Sequence, residues 1–331
     1  KSVISTIGAE DFFTDCWCKG VNLGHHEGGY TPFEFDLSEA LAGEEQAGRR
    51  AHIVLRVEDP MNNAEQPVGK QWRWYTPTSG IWQTVYLEPR SLTHIRSFRF
   101  IPDIEAGAVQ CVVQCAGPQC EAQVELEVTS PDARVQSAYL EVHQGRAQRT
   151  LKLASALLWD PNTPNLYQTC LRLHSGGQTL DAVQGYFGLR KVDFELAKES
   201  GVPTALRLNG SPRYLRGALY QSYFPEGVYT AGSVETLKDD IVCAKRFGFN
   251  FLRVHLKVDD PLLLFWADKL GMLLMADFPN FGEGGDTPLG RSRFEAMMRE
   301  AIERDFNHPA IFAWCLFNET WGFGGQVEFV K

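Results

Sequence analysis

Along the first 190 or so residues, apolar and polar positions alternate with a period of two. Thr31-Pro32-Phe33-Glu34-Phe35-Asp36-Leu37 and His52-Ile53-Val54-Leu55-Arg56-Val57 have this pattern, as do Val124-Glu125-Leu126-Glu127-Val128 and Leu151-Lys152-Leu153. Such alternation predicts half-buried strands, with one face on a core and the other in water. Pro and Gly clusters at 59–69, 76–80, 102–107 and 160–165 supply the turns. No helical period of useful length interrupts them. Short strands at regular spacing predict two β-sandwiches, divided near Pro89-Arg90-Ser91.

From Leu206 the period changes. Leu206-Arg207-Leu208, Asn209-Gly210 and Arg213-Tyr214-Leu215 predict a hairpin around a favourable turn pair. Leu237, Ile241 and Ala244 then fall at helical spacing behind Ser233, a good N-cap. Phe249–254 predicts a strand, Asp260-Pro261 opens a second helix that stops at Gly271, and 272–277 is the next strand. Phe294, Met298, Ala301 and Ile302 mark a third helix, before the apolar run from Ile311 that ends in Asn318-Glu319. That run carries no charge until Glu319, so it predicts a strand buried on both faces. The order β, α, β, α, β, α, β implies a parallel sheet with helical crossovers.

Each of the four strands ends in polar or ionisable residues: Tyr220-Gln221, Arg253 with His255, Asp277, and Asn318-Glu319. Chemistry placed at the carboxyl ends of successive parallel strands favours an eight-stranded barrel over an open sheet, with half of it present here. Glu319 is the leading candidate. A carboxyl beside an indole and an apolar wall has its charged form disfavoured and can act as a general acid, and Trp321 follows two residues on. Asn318 has donor and acceptor groups suited to a sugar hydroxyl. Arg253 either pairs with a buried carboxylate or holds a catalytic one ionised and oriented. Asp277 either caps the loop before Pro279 or hydrogen-bonds within the site. Tyr220, Gln221 and His255 are expected to line the pocket.

Composition narrows the partners. The 331 residues carry a net charge of -9, with 44% hydrophobic and 22% charged residues. An acidic balance without a basic face argues against nucleic acid. No apolar run reaches membrane-spanning length, and no signal peptide opens the chain. Eight cysteines include no CxxC and no zinc spacing, so they read as small hydrophobes in a reduced protein. His25-His26 is a weak metal pair, because neighbours on a strand face opposite ways. No metal and no cofactor are called for. The sequons Asn209-Gly210-Ser211 and Asn318-Glu319-Thr320 read as chance, one in a tight turn and the other in the candidate site.

Several segments together resemble glycoside hydrolase family 2, which includes β-galactosidases, β-glucuronidases and β-mannosidases. Gly28-Gly29-Tyr30-Thr31-Pro32-Phe33-Glu34-Phe35-Asp36 and Tyr75-Thr76-Pro77-Thr78-Ser79-Gly80-Ile81-Trp82-Gln83 resemble its sugar-binding jelly roll. Leu158-Trp159-Asp160-Pro161, Pro164-Asn165-Leu166-Tyr167 and Phe187-Gly188-Leu189-Arg190 resemble the end of its immunoglobulin-like domain. Leu208-Asn209-Gly210 through Arg216-Gly217 is similar to the start of its catalytic barrel, and Asn307-His308-Pro309 with Trp314 and Asn318-Glu319 to its acid/base signature.

The resemblance implies a jelly roll over 1–90 that lacks its opening strands, an immunoglobulin-like sandwich over 91–192, and strands 1–4 of a TIM (β/α)8 barrel over 193–331. It implies a retaining exo-β-glycosidase, most nearly β-galactosidase-like, acting on a β-linked carbohydrate, with a homo-oligomer possible for the full-length protein. Glu319 would be the general acid/base, Asn318 would bind the hydroxyl next to the anomeric carbon, and Arg253 would support the nucleophile. Three stretches depart from the family: Leu219-Tyr220-Gln221 replaces its usual Asn and His, Val254-His255-Leu256-Lys257 its Ser-His-Tyr-Pro, and Phe278 its glutamate. The nucleophile is expected beyond Lys331, so the isolated chain is expected to be inactive and prone to associate. A second reading is a carbohydrate-binding or inactive remnant in which Tyr75, Trp82 and Gly28-Gly29 line a sugar-binding face.

Overall fold

A computed structural model describes residues 1–42, 50–71, 74–118, 122–197, 199, 201 and 203–319. The chain is mostly β-sheet, as its period-two patterning requires. In the first region Ser2–Ile7 pairs antiparallel with Phe33–Asp36 on one side and Val85–Arg90 on the other. A second sheet has Phe13–Cys18 between Val21–Glu27 and Ile53–Glu58. Cys16 and Cys18 share the buried face of their strand, and Ile7, Cys16, Phe33 and Phe35 form a small core. Ile53–Glu58 is less buried than its alternation predicts: Ile53 and Val54 are exposed and only Leu55 and Val57 are half-buried.

The second region packs two sheets face to face. One orders Arg146–Lys152, Ala108–Ala116 and His94–Asp103; the other orders Val135–Glu141, Gln123–Thr129, Tyr167–Ser175 and Gln178–Phe187. Alternate residues Val124, Leu126 and Val128 point inward, against Val109, Cys111 and Val113 of the facing sheet and Leu171 and Leu173 alongside.

Beyond a hairpin whose Asn209 and Gly210 both take the left-handed turn conformation, the chain builds one parallel sheet. Its strands are Gly217–Tyr220, Phe251–Val254, Leu273–Asp277 and Ile311–Cys315, in that order. Helices Val234–Arg246, Pro261–Leu270 and Pro288–Asp305 connect them. Their caps follow the sequence: Ser233 accepts from Thr236 N, Asp260 from Leu262 N ahead of Pro261, and Gly271 ends the second helix in the left-handed conformation. Leu237, Ile241, Leu263, Leu264 and Ala267 pack against Leu252, Val254, Leu273 and Leu274.

The fourth strand departs from expectation. It stops at Cys315, four residues short of Glu319, and only Ile311 on it is buried. Among the described residues it pairs with one neighbour, on one side, so its other edge is unpaired and most of the strand is only half-buried. Residues 316–319 leave the sheet as a bend.

A buried polar knot joins the second sandwich to the parallel unit. Asp268, fully buried, accepts from His308 Nδ1 (2.5 Å), Tyr186 Oη (2.8 Å) and the Ala310 amide (2.8 Å). Burial pushes the His308 imidazole down, but the charge and hydrogen bond of Asp268, with Asp305 behind it, together outweigh burial and hold His308 above the ordinary histidine range. A folded-state value raised above the unfolded one, about 6.5, gives stability that is complete below that pH and is lost as pH rises through the folded value. The gap in unfolding midpoint between the protein and its His308→Gln variant should therefore narrow as pH rises from about 6 to about 9. A gap that stays constant over that range would show that the pair carries no such coupling.

Candidate active site

At the carboxyl ends of the parallel strands, a period of two decides which side chains can meet. Leu219, Arg253, Met275 and Ala313 align across the sheet on one face; Tyr220, Val254, Ala276 and Trp314 align on the other. Tyr220 is therefore not a pocket residue: its hydroxyl donates to Asp240 Oδ2 (2.8 Å) on the helix Val234–Arg246, behind the sheet. The run of polar residues at the strand end suggested a pocket position, but strand pleating turns this residue the other way.

Arg253 is the centre of the site. Its Nε lies 3.0 and 2.9 Å from the two Asp277 oxygens, and its Nη2 lies 2.8 Å from Oδ2 of the same carboxylate. Nη2 also donates to Asn318 Oδ1 (3.0 Å) and lies 3.6 Å from Cys315 Sγ. Asp277 is completely buried while Arg253 is 27% exposed by its side chain. Of the two roles open to Asp277, hydrogen bonding within the site is the one observed, and its oxygens are committed to Arg253. The hydrogen bonds to Asp277 hold the guanidinium more firmly protonated than usual, against the opposing effect of burial.

Gln221 and His255 form the next layer. Gln221 Nε2 lies 3.0 Å from His255 Nδ1. An amide nitrogen can only donate, so Nδ1 is the acceptor and the proton of the neutral ring sits on Nε2. Burial lowers the affinity of His255 for a second proton, although Asp277 opposes this from 3.9 Å. Three buried polar atoms here make no hydrogen bond within the described residues: His255 Nε2, Asn318 Nδ2 and Asn280 Oδ1.

Asn318 is buried and its carbonyl accepts from Asn280 Nδ2 (2.9 Å). Glu319, beside it, is exposed rather than packed on an apolar wall, and its backbone is left-handed (φ 58°). A glutamate in that region costs about 1–3 kcal/mol and persists only where its surroundings fix it. Trp321 lies outside the described residues.

Of three further contributors, Asn280 and Lys70 carried no recognisable signal in sequence, and Tyr75 was singled out only for a sugar-binding face on the first sandwich. Asn280 follows Asp277 by three residues in an otherwise apolar loop. Tyr75 and Lys70 come from the first region. Tyr75 stacks on Tyr223 (3.8 Å between centroids) and its hydroxyl donates to Gln221 Oε1 (2.5 Å). The loop that carries Lys70 is fastened to the parallel unit, because the Val68 and Gly69 amides both donate to Asn280 O (2.8 and 3.0 Å). Gly69 is left-handed, and a Cβ there would stand 2.2 Å from Leu256 O, so only glycine permits the approach. Lys70 is 9% exposed, its ammonium 5.0 Å from the centre of the Trp74 ring.

Trp82 is not available to a sugar-binding face on the first sandwich. Trp82 is buried with Tyr30 and Tyr229 between the sandwich and the parallel unit, and its indole N–H is spent on Gly29 O (2.8 Å). The Cβ position of Gly29 would meet Asp11 Oδ1 at 2.6 Å, so a side chain there would clash with Asp11.

Comparison with known proteins shows what this chain is similar to. Residues 93–190 match Glycosyl hydrolases family 2. A β-galactosidase of Thermoanaerobacter pseudethanolicus is 26% identical over 308 residues, covering 90% of this chain and 40% of that protein. A β-galactosidase of Aeromonas hydrophila is 28% identical over 337 residues, covering 93% of this chain and 30% of its own length. This chain thus spans well under half of these relatives. β-Glucuronidase 3 of Bacteroides uniformis superposes with a TM-score of 0.79 at 21% identity, over 97% of this chain and 42% of that one. The β-glucuronidase of Ruminococcus gnavus bound to D-glucuronic acid gives 0.78 at 22% identity, over 96% and 55%. Residues 93–190 thus match glycosyl hydrolase family 2, and most of the chain is similar to longer proteins named as β-galactosidases.

Proposed function

We propose that this chain forms part of a retaining exo-β-glycosidase, most nearly like the β-galactosidases it resembles. In this reading the parallel unit, residues 193–331, is the first half of a (β/α)8 barrel. Residues 1–90 are a jelly roll and 91–192 an immunoglobulin-like sandwich. Glu319 protonates the glycosidic oxygen as the bond breaks and later deprotonates the water that releases the sugar. Asn318 binds the hydroxyl next to the anomeric carbon. Arg253, held by Asp277, fixes Asn318 and faces the second carboxylate. His255 Nε2–H and the Asn318 amide offer unspent donors, and Asn280 Oδ1 an unspent acceptor, a set that suits the hydroxyls of a pyranose.

The observation that carries this reading is the Arg253–Asp277–Asn318 network at the carboxyl ends of the parallel strands, with a conformationally constrained glutamate beside it. The names and activities of the relatives support it. A retaining mechanism needs a second carboxylate about 5–5.5 Å from the first. Asp277 is committed to Arg253, so the nucleophile is assigned to sequence that the longer relatives have and these 331 residues do not.

The test uses 4-nitrophenyl β-D-galactoside, β-D-glucuronide and β-D-mannoside with the full-length gene product and with the 331-residue chain. The full-length protein should hydrolyse at least one and the isolated chain none. Turnover by the isolated chain would refute the assignment of the nucleophile, and no hydrolysis by either would refute the glycosidase reading.

A further inference from the structure

Tyr75 reaches the parallel unit from the first region and is held there twice. Its ring lies nearly flat on Tyr223, with an interplanar angle of 12°, and its own loop is pinned at Asn280 by the Val68 and Gly69 amides. The hydroxyl is thus set against Gln221 Oε1, and the Gln221 amide stands between that hydroxyl and His255 Nδ1. An amide has one accepting end and one donating end. With Tyr75 donating to the oxygen, the nitrogen must face the ring, and the ring must accept at Nδ1. The far end of this relay agrees with its polarity. His255 Nε2 stands 3.9 Å from Asp277 Oδ2, where an N–H is favoured and a lone pair repelled.

We propose that Tyr75 is a positioning residue that fixes the Gln221 amide and so keeps His255 neutral, with its Nε2–H directed into the site. The part this plays in catalysis rests on the glycosidase reading above. A second proton on His255 would have to sit on Nδ1, placing one N–H against another. Relief requires the amide to turn over and offer its oxygen to the ring. That movement takes Oε1 away from the Tyr75 hydroxyl, whose one hydrogen bond among the described residues it is. The charged groups that face the ring pull in both directions: burial disfavours the imidazolium, Asp277 favours it, and Lys70 and Arg253 disfavour it. Lys257 and Asp259, further along the same segment, pair with each other at 3.7 Å. With these influences opposed, one hydrogen bond more or less moves the balance.

The test is a pH titration of His255 by nitrogen–carbon correlation NMR on the histidine-labelled full-length gene product, the signal being assigned by its loss in His255→Gln. Nδ1 and Nε2 bond to different ring carbons, so the spectrum reads both the tautomer and the charge. The parent should show a neutral ring with its proton on Nε2. Tyr75→Phe keeps the ring that stacks on Tyr223 and removes only the donor. The proton affinity of His255 should then rise about threefold or more, the effect of one net hydrogen bond. In a Gln221→Leu background the same exchange should leave the titration where Gln221→Leu alone puts it. A proton on Nδ1 in the parent, any smaller rise with Tyr75→Phe, or an equal shift in both backgrounds overturns the relay. The titration is read without substrate. Failure of the full-length protein to hydrolyse any glycoside would therefore refute the glycosidase reading and leave this result standing.

Discussion

Replacing Arg253 by methionine should destabilise the protein by about 3 kcal/mol, the lower end of the range for breaking a buried ion pair. The lower end applies because the Arg253 side chain is 27% exposed, so water screens part of the interaction. The cost comes mainly from what remains. Asp277 is completely buried and both its oxygens are bonded to the guanidinium, so methionine would leave a carboxylate without its counter-charge. Asn318 Oδ1 would lose its donor as well. Removing both charges should be far milder, so an R253M/D277L double variant should unfold at a higher urea midpoint than R253M alone. Lysine at 253 should recover only part of the loss, because it cannot reproduce the two-point contact with the carboxylate. An R253M variant within about 0.5 kcal/mol of the parent would mean the network is incidental to the fold.

Much of this network's framework was legible from the sequence. The 3.6-residue spacing of Leu237, Ile241 and Ala244, the Ser233 and Asp260 caps and the Gly271 stop are local features, and local physics placed them correctly. Arg253, Asp277 and Asn318 were each visible at the end of an apolar run, and the structure brings all three into hydrogen-bonding contact.

What could not be read was long-range. Nothing in Pro67-Val68-Gly69-Lys70 announces that Gly69 will pass against Leu256, or that Tyr75 will bond Gln221, nearly 150 residues away. The orientation of Tyr220 depended on where the pleat of its strand starts, and a shift of one residue reverses every side chain. The end of the fourth strand was misjudged because an apolar run marks burial, not pairing, and Leu316 and Phe317 are apolar without belonging to the sheet.

Under the proposed function, the largest expected effect on catalysis belongs to Glu319. Its exchange for glutamine keeps shape and hydrogen-bonding capacity but removes the transferable proton. General acid–base catalysis contributes about 10²–10⁴-fold to such reactions, so kcat on alkyl β-glycosides, whose leaving groups need protonation, should fall by about that factor. Substrate binding should be spared, because Asn318, Arg253 and His255 are untouched. An aryl glycoside with a very acidic phenol should lose little in the bond-breaking step, since its leaving group departs without help. The glycosyl intermediate would then accumulate, because no base remains to activate water.

That intermediate offers the most direct test of the account. The full-length gene product carrying Glu319→Ala should be given a 2,4-dinitrophenyl β-glycoside and sodium azide, an anion that attacks without a general base. The account predicts faster turnover with azide and a β-configured glycosyl azide by proton NMR. Unchanged turnover in azide, an α-configured product, or wild-type rates on alkyl glycosides in the variant would contradict the assignment of Glu319 as acid/base of a retaining mechanism.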